Sequence, residues 1–380
     1  MRKHGHWPAL DGLRGISILL VIVHNIDAFS TASGWLWPAQ LLAQAGWIGV
    51  QIFFVLSGFL ITLILLDTRD SNNYYRAFFA RRALRIMPLY YLVLFAGLIV
   101  LPALVELSPE RLVSYQHQFW LWTFLTNWAE PFDRTVQGFP HFWSLAVEEQ
   151  FYLLWPLLIR RSSSHGALAL CVALMVAALV IRCAMLFSDA KPEMIYMFTI
   201  CRMDALAAGG LCALLLRASG TIQYLDRRRH LLAPCGLALG AAAALLTSGF
   251  APFAATTLTY GHSLLAISIA LILLSLVLPH PPGVSSTLQR LLAFGPLRST
   301  GKYSYAMYVL HIPLFAIAAT LPQSVRTMSL EHPLLNTVIL TGCCYLAGAL
   351  SYHVIEKPFL ALKRRFVARD TVRAGASQET

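Results

Sequence analysis

Two adjacent carboxylates, Glu148 and Glu149, interrupt an otherwise apolar segment at residues 142–159 (FWSLAVEEQFYLLWPLLI). An ionised side chain near the middle of a membrane helix costs about 3 to 10 kcal/mol, so such residues persist mainly where they face a polar pocket. On a helix, Ser144, Glu148 and Tyr152 share one face, and Glu149 points about 100° away from it. The pattern predicts a buried acid/base site in which Glu148 has hydroxyl-bearing neighbours. A structural ion pair with an arginine is the alternative.

Further polar side chains fall at a similar depth in other apolar segments. His24 lies near the outer end of the first segment, and Arg202 and Asp204 lie near the outer start of the sixth. At about 1.5 Å per residue, these side chains and Glu148 are expected roughly 6 to 9 Å below the outer face, with His311 one layer deeper. The sequence therefore predicts one polar layer within the membrane. For a single intramembrane histidine, a hydrogen-bonded helix contact is the alternative interpretation.

A basic cluster lies at the start of the third apolar segment. Residues 74–88 (YYRAFFARRALRIMP) place Arg76, Arg81, Arg82 and Arg85 among aromatic side chains. Guanidinium groups bind phosphate through paired N–H donors, so the cluster is a candidate phosphate-binding site. The alternative is a topology signal or a surface attracted to anionic lipids.

The elements that must position these residues are membrane helices. Of the 380 residues, 57% are hydrophobic and only 12% are charged, with a mean hydropathy of +0.63, which is outside the range of soluble domains. Runs of about 20 apolar residues, the length that spans the hydrocarbon core, recur along the chain. We predict an all-α, polytopic integral membrane protein with about ten transmembrane helices. The predicted segments are residues 10–29, 46–66, 86–105, 142–159, 167–187, 198–216, 231–249, 262–278, 303–321 and 335–355.

The distribution of charge predicts the orientation of these helices. With the N-terminus in the cytoplasm, most of the 29 Lys and Arg residues fall in cytoplasmic segments, and the opposite side holds only Arg111, Arg134, Lys191 and Arg326. The positive-inside rule then places both termini in the cytoplasm. The net charge of +11 therefore reflects topology, and no nucleic acid is expected as a partner. A cleavable N-terminal signal peptide is the competing interpretation, but charged residues interrupt its apolar core.

The chain is predicted to form one membrane domain, residues 1–362, and a cytoplasmic tail, residues 363–380, that is first basic, then polar and disordered. The seven cysteines lie in or beside predicted helices, so no disulfide framework is expected. The histidines are scattered without the close ligand spacing of a zinc site, and no metal is expected.

Seven motifs follow one another along the chain: LDGLRGISILLVIVH (10–24), GVQIFFVLSGFLIT (49–62), RRALRIMPLYYL (81–92), FWSLAVEEQFYLLWP (142–156), RMDALAAGGLCALL (202–215), GKYSYAMYVLHIPLF (301–315) and YHVIEKPF (352–359). Together they resemble the signatures of the acyltransferase 3 family, which includes bacterial O-antigen and exopolysaccharide O-acetyltransferases. The resemblance covers nearly the whole chain in the family's order. Family members are ten-helix membrane proteins, some with an added extracytoplasmic hydrolase-like domain, and this chain resembles the stand-alone form.

The resemblance implies transfer of an acyl group, usually acetyl, from cytoplasmic acyl-CoA to a hydroxyl of a cell-surface or exported glycan. Such chemistry needs a base for the acceptor hydroxyl, a group that orients this base, and donors for the oxyanion. Carried over by motif, His24 is the expected base, with Glu148 as its partner or a second acid/base. The family histidine lies about eleven residues after the arginine that matches Arg14. His24 follows Arg14 by ten residues and Asn25 by eleven, so both are candidates, and the expected catalytic set is completed by Arg14, Glu149 and Arg202.

The donor and acceptor sites are expected from the same resemblance. Acetyl-CoA is a co-substrate rather than a resident cofactor, and the side chains expected to hold its phosphates are Arg76, Arg81, Arg82 and Arg85. The acceptor would contact Ser144, Tyr152, Trp122, His141 and His311. Trp122 belongs to a tryptophan-rich outer segment that could stack on sugar rings, and an aromatic belt at the membrane surface is the alternative.

The expected setting is the bacterial inner membrane, with the lipid bilayer, acyl-CoA and a glycan or glycolipid acceptor as partners. Lipopolysaccharide and exopolysaccharide are the candidate acceptors. The rival function is a proton- or lipid-linked transporter, because buried Glu, His and Arg also form proton relays. Repeated halves would favour a transporter, and the sequence shows no such repeat. A non-catalytic membrane sensor or scaffold is the third possibility.

Overall fold

The computed structural model describes residues 7–26, 37–106, 113–129, 132–134, 138–218, 220–278, 283–323 and 332–367. Within these ranges the regular structure is helical and contains no strand. Helices are expected because hydrocarbon offers no partner to backbone polar groups, which must therefore bond within their own segment. The long helices are α1 (Pro8–Ile26), α2 (Ile48–Asp67), α3 (Tyr74–Phe95), α4 (Phe142–Arg161), α5 (Ser164–Phe187), α6 (Met203–Arg217), α7 (Arg229–Leu246), α8 (His262–Val277), α9 (Gly295–Ala318) and α10 (Pro333–Ser351).

Each of the ten predicted segments forms a helix. Seven helices in the described part of the chain are long and apolar enough to cross a membrane, or eight if the bent pair Ile200–Arg217 and Thr221–Arg227 is one span. The helices α4 and α9 are not among the seven, although they have 20 and 24 residues. Their polar side chains lower the mean hydropathy: α4 carries both glutamates, and α9 carries several tyrosines and a histidine. The helices that carry Glu148, Glu149 and His311 are thus less apolar than the seven.

The helix α3 begins at Tyr74, twelve residues before the predicted start of the third segment. The stretch between the predicted segments 46–66 and 86–105 is therefore helical for most of its length, because YYRAFFARRALR continues one helix into the apolar run. Alanine, leucine and arginine favour the helix, and no glycine or proline interrupts this stretch. As a result, the arginine cluster lies on a rigid element. At the other end, a π-helical turn (Ala96–Val100) and a short helix (Leu101–Leu104) extend α3.

Close backbone contacts between helices hold the bundle together. A Cβ atom on Gly58 of α2 would lie 1.9 Å from the Leu206 carbonyl oxygen, and one on Gly209 of α6 would lie 2.0 Å from the Val55 oxygen. A Cβ on Gly301 of α9 would similarly lie 1.8 Å from the carbonyl oxygen of residue 11 in α1. Small residues at helix crossings permit such approach in membranes. The pairs α1–α9 and α2–α6 are therefore fixed next to one another.

The chain continues past α10 instead of leaving the bundle. A π-helical turn (Tyr352–Glu356), a short helix (Lys357–Leu362) and a 3₁₀ turn (Lys363–Arg365) follow, and this C-terminal segment packs against α3. The predicted domain boundary at 362 falls between the short helix and the turn. Residues 368–380 lie outside the described residues, so the disorder of the tail stays a prediction.

Candidate active site

A cavity of about 320 Å³ lies between α1, α2, α3, α4 and α9. One end is lined by Thr68, Ala77, Arg81 and Lys363, near the connection between α2 and α3, and we call it the basic end. The deeper wall contains Ser57, Glu148 and Tyr152, together with Ser144 and Tyr308. The cavity therefore connects the basic end to a group of hydroxyls and one carboxylate inside the bundle.

Glu148 and Tyr152 form the polar centre of the deeper wall. The Tyr152 hydroxyl donates a 2.9 Å hydrogen bond to Glu148 Oε2, which confirms that the two residues share one face of α4. Ser57 of α2 bonds the same tyrosine hydroxyl, and the Arg82 guanidinium lies 4.8 Å from the centre of the Tyr152 ring. A cation over a tyrosine ring is attracted to its π face. Tyr152 thus couples the carboxylate to the arginine helix.

Positive charge dominates the wall of the cavity. Its lining includes the cations Arg14, Arg81, Arg82, Arg85 and Lys363, and the single carboxylate Glu148. Arg14 bonds Asp11 at 3.3 Å, outside the lining, and Arg82, Arg85 and Arg14 all act electrostatically on Glu148. Arg76 does not line the cavity; its guanidinium lies 6.0 Å from the Phe366 ring. A low-dielectric site with this excess of cations favours an anionic ligand.

A second group of polar side chains begins in this wall and continues behind it. Ser144 Oγ and the Tyr308 hydroxyl are 2.5 Å apart, and the tyrosine also donates to the His141 carbonyl oxygen at 2.8 Å. The His141 and His311 rings are 4.7 Å apart, and neither residue lines the cavity. Both rings are buried, and His141 Nδ1 and His311 Nε2 have no hydrogen-bond partner among the described residues. Ser144 is thus at the cavity and contacts Tyr308, and the rings of the two histidines pack against Tyr308.

The structure does not join His24 or Asn25 to Glu148. His24 Nδ1 lies 2.8 Å from the Ala43 carbonyl oxygen, and Asn25 Nδ2 donates to the Val21 carbonyl oxygen at 2.8 Å. Neither residue lines the cavity. Both lie near the end of α1 that is remote from Arg14, and residues 27–36 beyond them are outside the described part of the chain.

Arg202 belongs to a separate, fully buried network. Its Nη2 donates to Gln51 Oε1 at 2.7 Å, and its Nη1 lies 2.7 Å from His262 Nδ1. The Arg182–Asp204 ion pair, at 2.8 Å, lies beside it. The rings of Phe54, Trp143 and Tyr196 surround the Arg202 guanidinium at 5.0 to 5.7 Å. The predicted single layer of His24, Glu148 and Arg202 is therefore not a connected site, because residue spacing gives depth along a helix but not the neighbouring helix that each side chain faces.

Two other candidates also lie away from the cavity wall. Glu149 has a buried Oε1 without a hydrogen-bond partner among the described residues. Trp122 stacks on Tyr91 with ring centres 5.9 Å apart and donates from Nε1 to Gln118 Oε1 at 3.0 Å. These contacts give Trp122 a packing role, and its contact with a sugar stays a prediction.

Sequence reasoning missed Ser57, Tyr308 and Lys363 as parts of the cavity wall. Ser57 and Tyr308 lie within the motifs at 49–62 and 301–315, where their hydroxyls were the available signal. Lys363 gave no such signal, since it follows the last motif and is one of several basic residues near the C-terminus.

Comparison with known proteins identifies the family. A family profile described as "Acyltransferase domain" (Acyl_transf_3) matches residues 7–352. The chain is 32% identical to YrhL of Bacillus subtilis over 94% of its own length and 55% of that protein. It is 27% identical to the peptidoglycan O-acetyltransferase OatA of Listeria monocytogenes (92% of this chain, 55% of the relative) and 26% identical to the O-acetyltransferase OatA of Staphylococcus aureus (92% and 57%).

The chain thus spans little more than half the length of these curated relatives. No solved structure matches it. The profile covers the helices that build the cavity, from α1 to the end of α10, and therefore includes every element of the candidate site except the C-terminal segment. The chain belongs to the acyltransferase 3 family.

Proposed function

We propose that this protein is a membrane O-acyltransferase that moves an acetyl group from acetyl-CoA to a hydroxyl of a glycan. The observation that carries the proposal is the cavity, which connects the basic end to the Glu148–Tyr152 pair. A phosphorylated donor and a hydroxyl acceptor need these two environments within reach of each other.

The donor would bind at the basic end. Arg81, Arg82 and Arg85 line the cavity from one helix, so their spacing is fixed before a ligand arrives. Guanidinium groups bind phosphate bidentately, and preorganisation lowers the entropic cost of binding. The nucleotide part of acetyl-CoA would lie against these side chains, and its pantetheine arm would carry the thioester toward Glu148. The positive-inside pattern supports a cytoplasmic position for this end.

The reaction at the deeper wall needs proton transfer and oxyanion stabilisation. In the proposed step, the acceptor oxygen attacks the thioester carbonyl, and its proton passes to Glu148. The attack forms the ester C–O bond, the C–S bond then breaks, and Glu148 returns the proton to the departing CoA thiolate. The hydroxyls of Ser57 and Ser144 are the candidate donors for the oxyanion in this wall, because the single hydroxyl hydrogen of Tyr152 is donated to Glu148. Glu148 suits the base role better than His24, because Glu148 is the group that faces the cavity.

The acceptor is proposed from the relatives. All three are named as O-acetyltransferases, and the names of those from Bacillus subtilis and Listeria monocytogenes specify peptidoglycan, which makes a cell-wall glycan the first acceptor to test. Lipopolysaccharide and exopolysaccharide are further candidates, and the inner membrane is the proposed location. His24, Asn25, His141 and His311 lie toward the acceptor end in this proposal.

The test is acetyl transfer from labelled acetyl-CoA in membranes that contain the wild type or Glu148→Gln, His24→Ala, Asn25→Ala and Arg82→Gln. Label is measured on extracted glycan and on the protein, at matched protein abundance. Leu153→Ala, on an exposed face of the same helix, is the control. We expect Glu148→Gln to lose at least about 100-fold in rate, because general acid–base catalysis contributes about 10² to 10⁴.

Full activity of Glu148→Gln would contradict the assignment of the base. Loss of transfer in His24→Ala at normal abundance would instead return the base role to α1. Label on the protein before the glycan would indicate a covalent route. Absence of any CoA-dependent transfer by the wild type would favour the transporter.

A further inference from the structure

The C-terminal segment docks on the arginine helix α3. Asn73, the residue before α3, donates from Nδ2 to the Val367 carbonyl oxygen at 2.9 Å. The Arg76 guanidinium lies 6.0 Å from the Phe366 ring. The short helix Lys357–Leu362 packs on α3 as well. These contacts hold the segment against the first turns of α3, beside the basic end of the cavity.

Docking brings one side chain of the segment into the cavity wall. Lys363 lines the basic end with Arg81, Arg82 and Arg85, whereas its neighbour Arg364 is exposed and does not line the cavity. The charges of Arg85, Arg82 and Arg81 all act on Lys363, and only Glu356 opposes them. Within the described part of the chain, no ion pair links Lys363 or these three arginines to a carboxylate.

Gathering like charges at a partly buried site costs free energy unless an anion compensates them. The arginines cannot separate, since one helix carries them. Lys363 differs, because it lies on the C-terminal segment, which is separate from α3 in sequence and is held to it by the contacts above. The position of Lys363 beside the arginines is therefore more informative than the spacing of the arginines themselves. It adds a fourth cation to the cluster of Arg81, Arg82 and Arg85.

We propose that Lys363 binds a phosphate group of the acyl donor, and that residues 357–367, at the end of the C-terminal segment, form a strap that completes the donor site when it docks on α3. This inference rests on the proposed function. An ammonium group acts as a compact point charge with rotatable donors, and it complements the planar forks of the arginines. The donor site is thus built from two parts of the chain that lie far apart in sequence, and the family profile covers only the first.

The experiment measures KM and kcat in membranes for two donors, acetyl-CoA and S-acetylpantetheine, which lacks every phosphate. The variants are Lys363→Gln, Lys363→Arg and Arg364→Gln, the last as the matched control on the same turn. We expect Lys363→Gln to raise the KM for acetyl-CoA about 10-fold with kcat nearly unchanged, as for loss of one charge-assisted contact. Lys363→Arg should recover most of this loss, and Arg364→Gln should stay within about twofold of the wild type. With S-acetylpantetheine, Lys363→Gln should equal the wild type.

The two donors separate phosphate binding from a merely structural role, since a misfolded site would impair both. An unchanged KM in Lys363→Gln, while Arg82→Gln raises it, would overturn the inference and leave the proposed function intact. No CoA-dependent transfer by the wild type would overturn both. An anionic lipid headgroup carries the same phosphate chemistry. The comparison is repeated in proteoliposomes with and without phosphatidylglycerol. If the difference in activity between wild type and Lys363→Gln depended on this lipid and not on the choice of donor, the ligand of Lys363 would be the lipid headgroup. That result would also overturn the inference.

Discussion

Tyr152 is the side chain through which the carboxylate, the serine of α2 and the arginine of α3 meet. Its hydroxyl bonds Glu148 and Ser57, while its ring carries the Arg82 guanidinium. The hydroxyl and the ring thus serve different parts of the site, and two substitutions can separate them.

Tyr152→Phe removes the hydroxyl and keeps the ring. We expect kcat to fall about 10- to 100-fold with an unchanged KM for acetyl-CoA, because the Glu148 carboxylate loses the hydrogen bond that orients it. Tyr152→Ala should in addition raise that KM, because Arg82 loses its support. Steady-state kinetics in membranes measure both values. Equal KM values for the two variants would show that the ring does not position Arg82.

For Arg202 we predict an effect on stability rather than on catalysis. Arg202→Lys retains the charge but cannot bond Gln51 and His262 together, and it leaves buried polar atoms unpaired. We expect a loss of about 3 kcal/mol in the free energy of unfolding, seen as a lower unfolding temperature in detergent. The control is Arg217→Lys at the far end of α6, where the ion pair with Asp67 is exposed. It should change the free energy of unfolding by less than about 1 kcal/mol. A stable Arg202→Lys protein without activity would instead return Arg202 to the catalytic set.

At the scale of helices, the sequence predicts which segments exist better than which ones touch. Ten apolar runs mark ten helices, and the Ser144–Glu148–Tyr152 face follows from helical periodicity alone. Periodicity does not give the azimuth of one helix relative to another. For this reason Arg202 and Glu148, predicted in one layer, face different neighbours, and Lys363 could not be assigned to a cavity formed by α1–α4 and α9.

The glycines of α2 and α6 do define one of these contacts. Gly209→Ala would place a Cβ 2.0 Å from the Val55 carbonyl oxygen, so the two helices must move apart. We expect a loss of about 1 to 3 kcal/mol in stability, as for overpacking of a core, and reduced activity, because α2 carries Ser57. Gly342→Ala on α10 meets no atom within 4 Å and is the matched control. Thermal unfolding of both variants measures the difference. An equally stable Gly209→Ala protein would show that α2 and α6 are not in such close contact.

At the scale of the whole molecule, the proposed function requires that donor and acceptor reach the same cavity from different directions. If the basic end faces the cytoplasm, only vesicles that expose this end should use added acetyl-CoA. We therefore expect transfer with inverted membrane vesicles and almost none with right-side-out vesicles. Activity that appears in right-side-out vesicles, and is lost on inversion, would reverse the predicted orientation. Detergent-permeabilised vesicles of both kinds, which should be equally active, provide the control.

The fixed positive charges that line the cavity also bear on membrane permeability. A polar cavity inside a membrane protein is a potential leak for protons and small cations, and leakage would dissipate the potential across the membrane. Arg14, Arg81, Arg82, Arg85 and Lys363 place an electrostatic barrier to cations along this cavity, in the way that positive groups exclude protons and cations from selective pores. The same side chains that would attract a phosphorylated donor would thereby also oppose the passage of cations through the cavity.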